Sequence, residues 1–323
     1  AQARTSCTHS RQRHTNLYID TTILMTTADL TRTLTHTAEK LSDAKALKGI
    51  FHQHKDGNPI PSGEVLKEIV DLLRAIIFPG YYGKSTVNSR TIKFHIGVNI
   101  EKLNQLLTDQ ILAGLCFASC DGCDAGDTAT DMRCTAEEIA MDVIQKLPAV
   151  RQMLAADVAA IYNGDPAAGN FGEIISCYPA IKALVNYRVA HELLLMGVPL
   201  IPRMLTEMAH SETGIDIHPA AQIGQHFAID HGTGVVIGAT CIIGDNVKLY
   251  QGVTLGARSF PIDEDGNPIK GIARHPILED DVVVYSNATI LGRVTIGKGS
   301  VVGANVWVTE DMEPNTRIFK KTK

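Results

Sequence analysis

Aliphatic side chains recur at every sixth position over the C-terminal third of the chain. They occupy positions 217, 223 and 229, then 237, 243, 249 and 255, and finally 278, 284, 290, 296, 302 and 308. A period of six does not keep one face of an α-helix buried, because the helix repeats every 3.6 residues. It is typical of a parallel β-helix, in which each hexad forms a short strand and turn and three hexads complete a triangular coil. The pattern therefore predicts a β-helix over residues 213–310, followed by a short tail at 311–323.

The repeat is interrupted at two places, and both predict structure outside the regular coil. The step from 229 to 237 is eight residues, so two extra residues lie next to His231 in the sequence DHGTG. The step from 255 to 278 is 23 residues and contains several Pro, Gly and charged residues, which predicts an extruded loop over residues 258–275. Loops of this kind often form the binding surface of a repeat protein.

Residues 62–212 carry a different pattern, with apolar residues at helical spacing. In EVLKEIVDLLRAIIF, Val65 and Ile69 fall on one face, and Pro79 ends the stretch. Further stretches of this kind run over about residues 92–116, 135–160, 173–196 and 200–210. The pattern predicts an all-helical domain before the β-helix.

Two more signals complete this half of the chain. Thr135 is followed three residues later by Glu138, a capping-box spacing that predicts a helix start at Thr135. Residues 1–61 are rich in Ser, Thr, His and basic residues and end in the turn-forming DGNPIPSG, which predicts a partly disordered N-terminal extension. The predicted fold class is α+β, with the helical domain at 62–212 followed by the parallel β-helix.

Composition narrows the possible partners. The 323 residues are 45% hydrophobic, and no run reaches the roughly 18 uninterrupted apolar residues of a membrane span, so no membrane partner is expected. A net charge of −5 argues against a nucleic-acid surface, which normally carries a basic face. Seven cysteines in a large chain without a signal-peptide pattern predict a cytoplasmic protein with reduced thiols.

Four of the cysteines cluster between two predicted helices, at Cys116, Cys120, Cys123 and Cys134. Cys120 and Cys123 have the CxxC spacing of a zinc knuckle, but no second pair or suitably spaced histidine accompanies them. We expect ordinary thiols and no metal site. A structural metal, and a disulfide or redox role, are the alternatives.

His231, at the insertion, is the first candidate for chemistry. Asp230 precedes it, and Asp216 lies fifteen residues earlier, close to the eighteen residues of one coil, which predicts that Asp216 lies beside His231 on the neighbouring coil. A carboxylate that accepts a hydrogen bond from one imidazole nitrogen fixes the tautomer and raises the basicity of the other nitrogen. The arrangement suits a general base, and an ordinary histidine in a surface turn is the alternative.

Charged residues elsewhere add to this site. Arg274 and His275 end the long loop, which predicts a cation and a second imidazole at the same end of the scaffold. Asp165 precedes Pro166 in the linker IYNGDPAAGNFG, where a helix must break. Asp165 therefore presents a carboxylate to the domain junction or forms an ordinary turn.

These segments together resemble the serine O-acetyltransferase family. The motifs that carry the resemblance are DIHPAAQIG, IDHGTGVVIG, LYQGVTLGA and RHP on the repeat, with NGDPA and YPAIKALVNYRVAHELL before it. The resemblance covers about residues 62–310 and implies a left-handed parallel β-helix. It also implies direct transfer of an acetyl group from the co-substrate acetyl-CoA to the hydroxyl of L-serine, the first step of cysteine biosynthesis, with no acyl-enzyme and no permanently bound cofactor.

The resemblance assigns roles to the candidate residues. His231 matches the general base of the family, and Asp216 matches the carboxylate that orients it. The matching substrate-binding residues are Asp165 and Asp230 for the ammonium group and Arg274 for the carboxylate. His275 matches a second active-site histidine that helps to position the substrate.

Small residues of the repeat match positions along the pantetheine arm of acetyl-CoA, where they permit close approach. These are Gly256, Ala257, Ser286 and Ala304. A backbone N–H near Gly256 matches a donor to the thioester oxyanion. All four residues also fit ordinary positions of the repeat.

The resemblance implies partners as well. Family members form homotrimers or dimers of trimers, with sites between neighbouring subunits, and L-cysteine inhibits them at the serine site. Members that bind cysteine synthase do so through a tail ending in isoleucine. This sequence ends in Lys323, so we expect no such complex, which a calorimetric titration would test.

Three other functions fit parts of the sequence. An acetyltransferase for another acceptor, such as a sugar, explains the repeat and His231 but gives Asp165 and Arg274 no role. A carbonic anhydrase of the β-helix type needs three histidine ligands to zinc, for which the candidates are His218, His226, His231 and His275. A catalytically inactive scaffold is the third.

Overall fold

The structure is a computed structural model that describes residues 26–52, 60–83, 86–120 and 129–320. The chain divides into two compact units, Ala1–Gln53 and His54–Lys323. The first unit contains helix α1 (Thr27–Leu41), which begins with a capping box between Thr26 and Asp29 and has no buried residue. The sequence pattern did not predict this helix inside the N-terminal extension.

The helical region of the second unit is confirmed. The helices described there are α2 (Gly63–Ile77), α3 (Ile92–Cys120), α4 (Ala129–Gly164), α5 (Phe171–Cys177), α6 (Pro179–Leu195) and α7 (Ile201–Thr213). The predicted stretch at 173–196 is two helices. Pro179 is the first residue of α6, where its missing N–H costs nothing, and Tyr178 before it is extended (φ −80°, ψ 125°).

The predicted helix start at Thr135 is wrong. α4 begins six residues earlier, at Ala129, and the Thr135 hydroxyl donates a hydrogen bond of 3.0 Å to the carbonyl of Asp131 within the helix. Threonine in a helix interior commonly bonds the carbonyl four residues before it. The capping-box spacing therefore does not mark a helix start here.

The clustered cysteines are described only in part. Cys134 is an exposed free thiol in α4, and Cys116 is partly buried in α3. Cys123 and the side chain of Cys120 lie outside the described part of the chain. The hypotheses of a metal, a disulfide or a redox role for the CxxC pair therefore stay untested.

The repeat folds as a parallel β-helix, as its period predicts. Its strands are β1 (Asp216–Ile217), β2 (Gln222–Ile223), β3 (Ala228–Asp230), β4 (Val236–Ile237), β5 (Ile242–Ile243), β6 (Lys248–Tyr250), β7 (Thr254–Gly256), β8 (Ile277–Leu278), β9 (Val283–Val284), β10 (Thr289–Leu291), β11 (Thr295–Ile296), β12 (Val301–Val302), β13 (Trp307–Val308) and β14 (Arg317–Ile318).

Three parallel sheets form the sides of the triangular coil. The first sheet contains β1, β4, β7, β10 and β13, the second contains β2, β5, β8 and β11, and the third contains β3, β6, β9, β12 and β14. The aliphatics of the repeat stack inside. In the first sheet, Ile217 pairs with Ile237, and Ile237 pairs with Leu255; all three are buried.

The region predicted as a short tail from 311 continues the β-helix. Arg317 pairs with Val301 and Ile318 with Val302, so β14 adds a strand to the third sheet. Met312 forms an isolated bridge to Ile296. The six-residue period hides this strand, because the step from position 308 to Ile318 is ten residues.

A buried ion pair joins the helices to the first coil. The guanidinium of Arg188 on α6 lies 3.1 Å from the Asp157 carboxylate on α4, and both side chains are almost fully buried. Arg188 also donates to the carbonyls of Ile223 and Gly224 at 2.7 Å, while Asp157 accepts the Phe227 N–H at 2.9 Å. The pair therefore satisfies backbone groups at the open end of the β-helix that would otherwise be buried without partners.

We expect Arg188→Met to lower the free energy of unfolding by about 3–5 kcal/mol, because it leaves the Asp157 carboxylate buried and unpaired. Urea unfolding followed by circular dichroism measures the change. The matched control is Lys102→Met, which removes an exposed ion pair with Glu68 and should cost no more than about 1 kcal/mol. Equal losses in the two variants would contradict the assigned role of the buried pair.

Candidate active site

The candidate residues occupy two corners of the coil. We call the turn from β3 to β4, residues 230–234, the His231 corner; here the chain passes from the third sheet to the first. We call the turn formed by residues 238–240 with residues 274 and 275 the His275 corner; it lies where the first sheet ends and the second begins.

The two-residue insertion shapes the His231 corner. His231, Gly232 and Gly234 all have left-handed backbone, with φ of 57°, 93° and 79°. The φ of 93° at Gly232 is strained for other residues, and a Cβ there would also come within 2.5 Å of Cδ1 of Ile215, so the position favours glycine. The turn leaves the His231 side chain 76% exposed at the surface of the coil.

The two carboxylates that were predicted near His231, those of Asp230 and Asp216, have different partners in the structure. The Nε2 atom of His231 lies 3.8 Å from Oδ1 of Asp230. Asp216 lies on β1 in register with Val236, and its carboxylate is 3.6 Å from the Arg203 guanidinium. Among the described residues no hydrogen bond joins Asp216 to His231, so that contact stays a prediction.

Asp165 lies in the turn after α4, on the same side as His231. Its carboxylate accepts hydrogen bonds from the Tyr178 hydroxyl at 2.6 Å and the Ala167 N–H at 2.8 Å. These two bonds lower the pKa of Asp165, and the charges of Lys248 and His231 lower it further. The same contact raises the pKa of Tyr178 to about 12. The structure therefore brings Asp165 and the His231 corner together.

Lys248, on β6, lies next to the His231 corner, and the sequence pattern did not predict it as a residue of the candidate site. Its ammonium lies 3.2 Å from Oδ2 of Asp230, donates to the Gly164 carbonyl at 2.7 Å, and lies 4.5 Å from the Tyr250 ring centroid. Burial alone would lower the pKa of Lys248, but the contacts with Tyr250 and Asp230 raise it. A lysine on the outward face of a regular hexad gives no signal in the sequence, since such positions are normally solvated.

His275 is buried at the other corner and is held as a neutral imidazole. Its Nδ1 accepts from the Thr240 N–H at 3.1 Å and lies 2.8 Å from the Thr240 hydroxyl. Because a backbone N–H can only donate, Nδ1 carries no proton and Nε2 is the donor. Burial, with the nearby Arg274, lowers the pKa of His275 to about 4. A side chain at Gly238 would overlap the ring, at 2.0 Å from its Cδ2, which explains the glycine there.

Arg274 lies beside this imidazole. Its backbone N–H donates to the Thr240 hydroxyl at 2.9 Å, and its guanidinium lies 5.5 Å from the Phe260 ring centroid. The Nε atom of Arg274 is buried and has no hydrogen-bond partner among the described residues. A donor left in this state is suited to an anion supplied from outside the described chain.

The two corners lie on opposite edges of the first sheet. The strand segment from Gly234 to Gly238 separates them by about 13 Å at the usual rise of a strand. The predicted acetyl-CoA residues divide in the same way. Gly256 and Ala257 lie at the end of β7 toward the His275 corner, whereas Ser286 and Ala304 lie after strands of the third sheet, on the side of the His231 corner. Within one chain, Arg274 and His275 therefore lie at the opposite edge of the first sheet from His231.

A second group of titratable residues lies next to Asp216. Ligand atoms of Glu207, His210 and Asp216 lie within 4.8 Å of one another. The Arg203 guanidinium already pairs with both Glu207 and Asp216. This arginine supplies the positive charge that a bound cation would bring, so the group is an ion-pair network.

The helices of the described ranges include none that is long and apolar enough to cross a membrane.

Comparison with known proteins shows which family the chain belongs to. A family model for the bacterial transferase hexapeptide (six repeats) matches residues 275–310. A plasmid serine acetyltransferase of Synechococcus elongatus is 48% identical over 254 residues, which cover 79% of this chain and 80% of that protein.

Solved structures give the same family. The crystal structure of serine acetyltransferase 1 from Entamoeba histolytica in complex with L-cysteine is 34% identical, with a TM-score of 0.67 and coverage of 89% of this chain and 97% of that chain. The Neisseria gonorrhoeae enzyme in complex with serine is 25% identical, with a TM-score of 0.51 and coverage of 83% and 98%. With nearly half of the residues identical to the Synechococcus enzyme over most of both chains, this chain belongs to the serine acetyltransferase family and is an acyltransferase.

Proposed function

We propose that His231 is the general base of this serine acetyltransferase and that the acetyl group passes directly from acetyl-CoA to L-serine. The imidazole takes the proton of the serine hydroxyl, and the oxygen attacks the thioester carbon. The carbon–sulfur bond then breaks, and the thiolate of CoA takes the proton back from the imidazolium. A neutral alcohol is a poor nucleophile, so the step needs a base at this position. The observation that carries the assignment is the exposed imidazole of His231 at the insertion, with Asp230 and Asp165 beside it.

The ammonium group of serine is assigned to the His231 corner. Asp165 and Asp230 supply two carboxylates there, and the lowered pKa of Asp165 keeps its carboxylate ionised. L-Cysteine differs from L-serine only by a thiol in place of the hydroxyl. The solved relatives contain serine in one case and L-cysteine in the other, which supports L-cysteine as a feedback inhibitor at the same site of this chain.

The carboxylate of serine is assigned to the His275 corner. Arg274 offers a guanidinium with an unpaired buried Nε, and neutral His275 offers the Nε2–H donor. A planar guanidinium pairs well with a carboxylate because two parallel hydrogen bonds can form.

The complete site therefore needs two chains. Within one chain the ammonium-binding and carboxylate-binding residues lie on opposite edges of the first sheet, too far apart for one serine molecule. In a cyclic homotrimer, the His231 corner of each subunit would face the His275 corner of its neighbour. The same arrangement brings Ser286 and Ala304 together with Gly256 and Ala257, so that the pantetheine arm of acetyl-CoA lies along this interface. Two such trimers can join through their helical domains.

We expect His231→Ala to lower kcat for serine by about 10²–10⁴-fold, the usual contribution of a general base. The assay follows CoA release from acetyl-CoA with L-serine, and then with a sugar acceptor. His226→Ala is the matched control, because His226 is also exposed with left-handed backbone (φ 55°) in a turn of the first coil. Wild-type serine activity in His231→Ala would exclude the proposed base, and a preference for the sugar would favour the other acceptor.

Mixing two inactive variants tests the site between subunits. His231→Ala and Arg274→Ala should each be inactive alone, but co-expression should restore about a quarter of the wild-type activity, because three quarters of randomly mixed trimers contain one intact interface out of three. A tagged form of each variant verifies that mixed trimers form. If mixed trimers form and stay inactive, the two residues act within one chain.

The buried, neutral state of His275 predicts a pH dependence of stability. An unfolded histidine titrates near pH 6.5, whereas the pKa of His275 in the folded chain is about 4. The unfolded state therefore binds more protons between these values, and acidification from pH 6.5 to 4 should lower the free energy of unfolding by at most about 1.4 kcal/mol per pH unit from this residue.

Two measurements check this. In NMR titrations the His275 ring should stay largely unprotonated down to about pH 5. The variant His275→Asn, whose side-chain carbonyl can accept the Thr240 N–H, should lose this part of the acid dependence in urea unfolding. Titration of His275 near pH 6.5 would contradict the neutral state that its contacts indicate.

A further inference from the structure

One charged side chain at the His231 corner has no role in the proposed reaction. Lys248, on β6, is only 15% exposed, although it lies on an outward position of the β-helix. Lysine is seldom buried to this extent unless its ammonium is fully paired. The contacts of this ammonium therefore indicate what it does.

The Lys248 ammonium has three contacts. It lies 3.2 Å from Oδ2 of Asp230, donates to the Gly164 carbonyl at 2.7 Å, and lies 4.5 Å from the Tyr250 ring centroid. Acceptors and an aromatic face thus surround the ammonium. The other carboxylate oxygen of Asp230, Oδ1, lies 3.8 Å from Nε2 of His231. Lys248 therefore holds one oxygen of Asp230 and leaves the other turned toward the proposed base.

The same ammonium bridges two separate elements. Gly164 is the last residue of α4, where the free carbonyls of a helix end attract a cation. The next residue is Asp165, whose carboxylate accepts hydrogen bonds from the Tyr178 hydroxyl and the Ala167 N–H. A cation that binds both Gly164 and Asp230 therefore fixes the position of the Asp165 turn relative to β3.

We propose that Lys248 is a positioning residue for the substrate ammonium, which it serves by fixing Oδ1 of Asp230 and the spacing between Asp230 and Asp165. The inference rests on the proposed function and deepens it. Charge supports it as well: two carboxylates and one lysine leave a net charge of −1 at the corner, which one substrate ammonium neutralises. An amino acid with a single ammonium matches this balance.

The placement of the ammonium argues against a competing role, in which Lys248 would imitate the substrate. A lysine that imitated the substrate would occupy the exposed side of Asp230, next to His231. The Lys248 ammonium instead lies on the side of Gly164 and Tyr250, and its side chain is largely buried. The proposal therefore assigns Oδ2 of Asp230 to Lys248 and Oδ1 to the substrate ammonium.

Lys248→Met tests the proposal in the full-length enzyme. We expect KM for L-serine and Ki for L-cysteine to rise in parallel by about tenfold, the loss of one charge-assisted hydrogen bond, with kcat and KM for acetyl-CoA changed less than about twofold. Lys298→Met is the matched control, since Lys298 also pairs with carboxylates of the β-helix, Asp280 and Asp281, and it should leave all four constants unchanged. If Lys248→Met does not fold, Lys248→Gln, which keeps a donor for the Gly164 carbonyl, carries the same test.

A ligand without an ammonium separates positioning from general damage. For 3-hydroxypropanoate, which keeps the carboxylate and hydroxyl of serine, Ki should be the same in wild type and Lys248→Met. In a double-mutant cycle, Lys248→Met should add little to Asp230→Asn, because both act through one carboxylate. An unchanged or lower KM for serine, or an equal rise in Ki for 3-hydroxypropanoate, would overturn the proposal. Its failure is distinct from failure of the proposed function, which the His231→Ala assay decides.

Discussion

The buried pair of Arg188 and Asp157 is the contact on which the rest of the arrangement depends. A β-helix has an open end, where the backbone groups of its first coil lack a further coil to bind. Arg188 donates to two carbonyls of this coil, Asp157 accepts one of its N–H groups, and the Tyr187 hydroxyl donates to the Ala221 carbonyl at 2.6 Å. The helices therefore act as the missing coil.

The same contact sets the position of the candidate site. Asp157 binds Phe227, and from these residues α4 and β3 run beside each other. Eight helical residues advance about 12 Å from Asp157 to Asp165, and four strand residues advance about 13 Å from Phe227 to His231. The two paths have nearly the same length, so Asp165 meets the His231 corner without any further adjustment. Lys248 then links the end of α4 to Asp230.

The sequence predicted the parts of this structure that depend on period and on backbone geometry. The β-helix follows from the six-residue spacing, and the His231 corner follows from the one step of eight that ends in a glycine-rich turn. The prediction failed where a single residue overrides a pattern. Pro179 divides a helical stretch, and Thr135 lies inside a helix although its spacing to Glu138 suggests a cap. Strand β14 was missed because its residues do not keep the period.

Side-chain partners across long separations were the least predictable feature. Lys248 and Gly164 are 84 residues apart, and neither has a sequence signal that points to the other. The same holds for His275, whose ring fits against Gly238 and accepts from Thr240, 35 residues away. Spacing along the repeat placed Asp216 on the coil next to the His231 corner, but it could not show that Arg203 engages the Asp216 carboxylate. The local pattern predicts the position of a residue in the fold. The partner of its side chain depends instead on which coil or helix packs against that position.

The His231 corner and the His275 corner carry opposite charge, which bears on how a zwitterionic substrate would be oriented. Asp165 and Asp230 make the His231 corner acidic, while Arg274 and Arg293, which donates to the carbonyls of Thr240 and His275, make the His275 corner basic. In the site proposed between subunits, an amino-acid zwitterion would have one favourable orientation, with its ammonium toward His231. In that orientation the carbon that bears the hydroxyl is next to the ammonium-bearing carbon and so lies close to the proposed base. The neutral state of His275 fits the same logic, because Arg274 supplies the positive charge and a neutral Nε2–H donor adds a directed hydrogen bond without adding another cation. In the proposed site, charge would thus select the orientation of the substrate, and hydrogen bonds would then position its hydroxyl for proton removal.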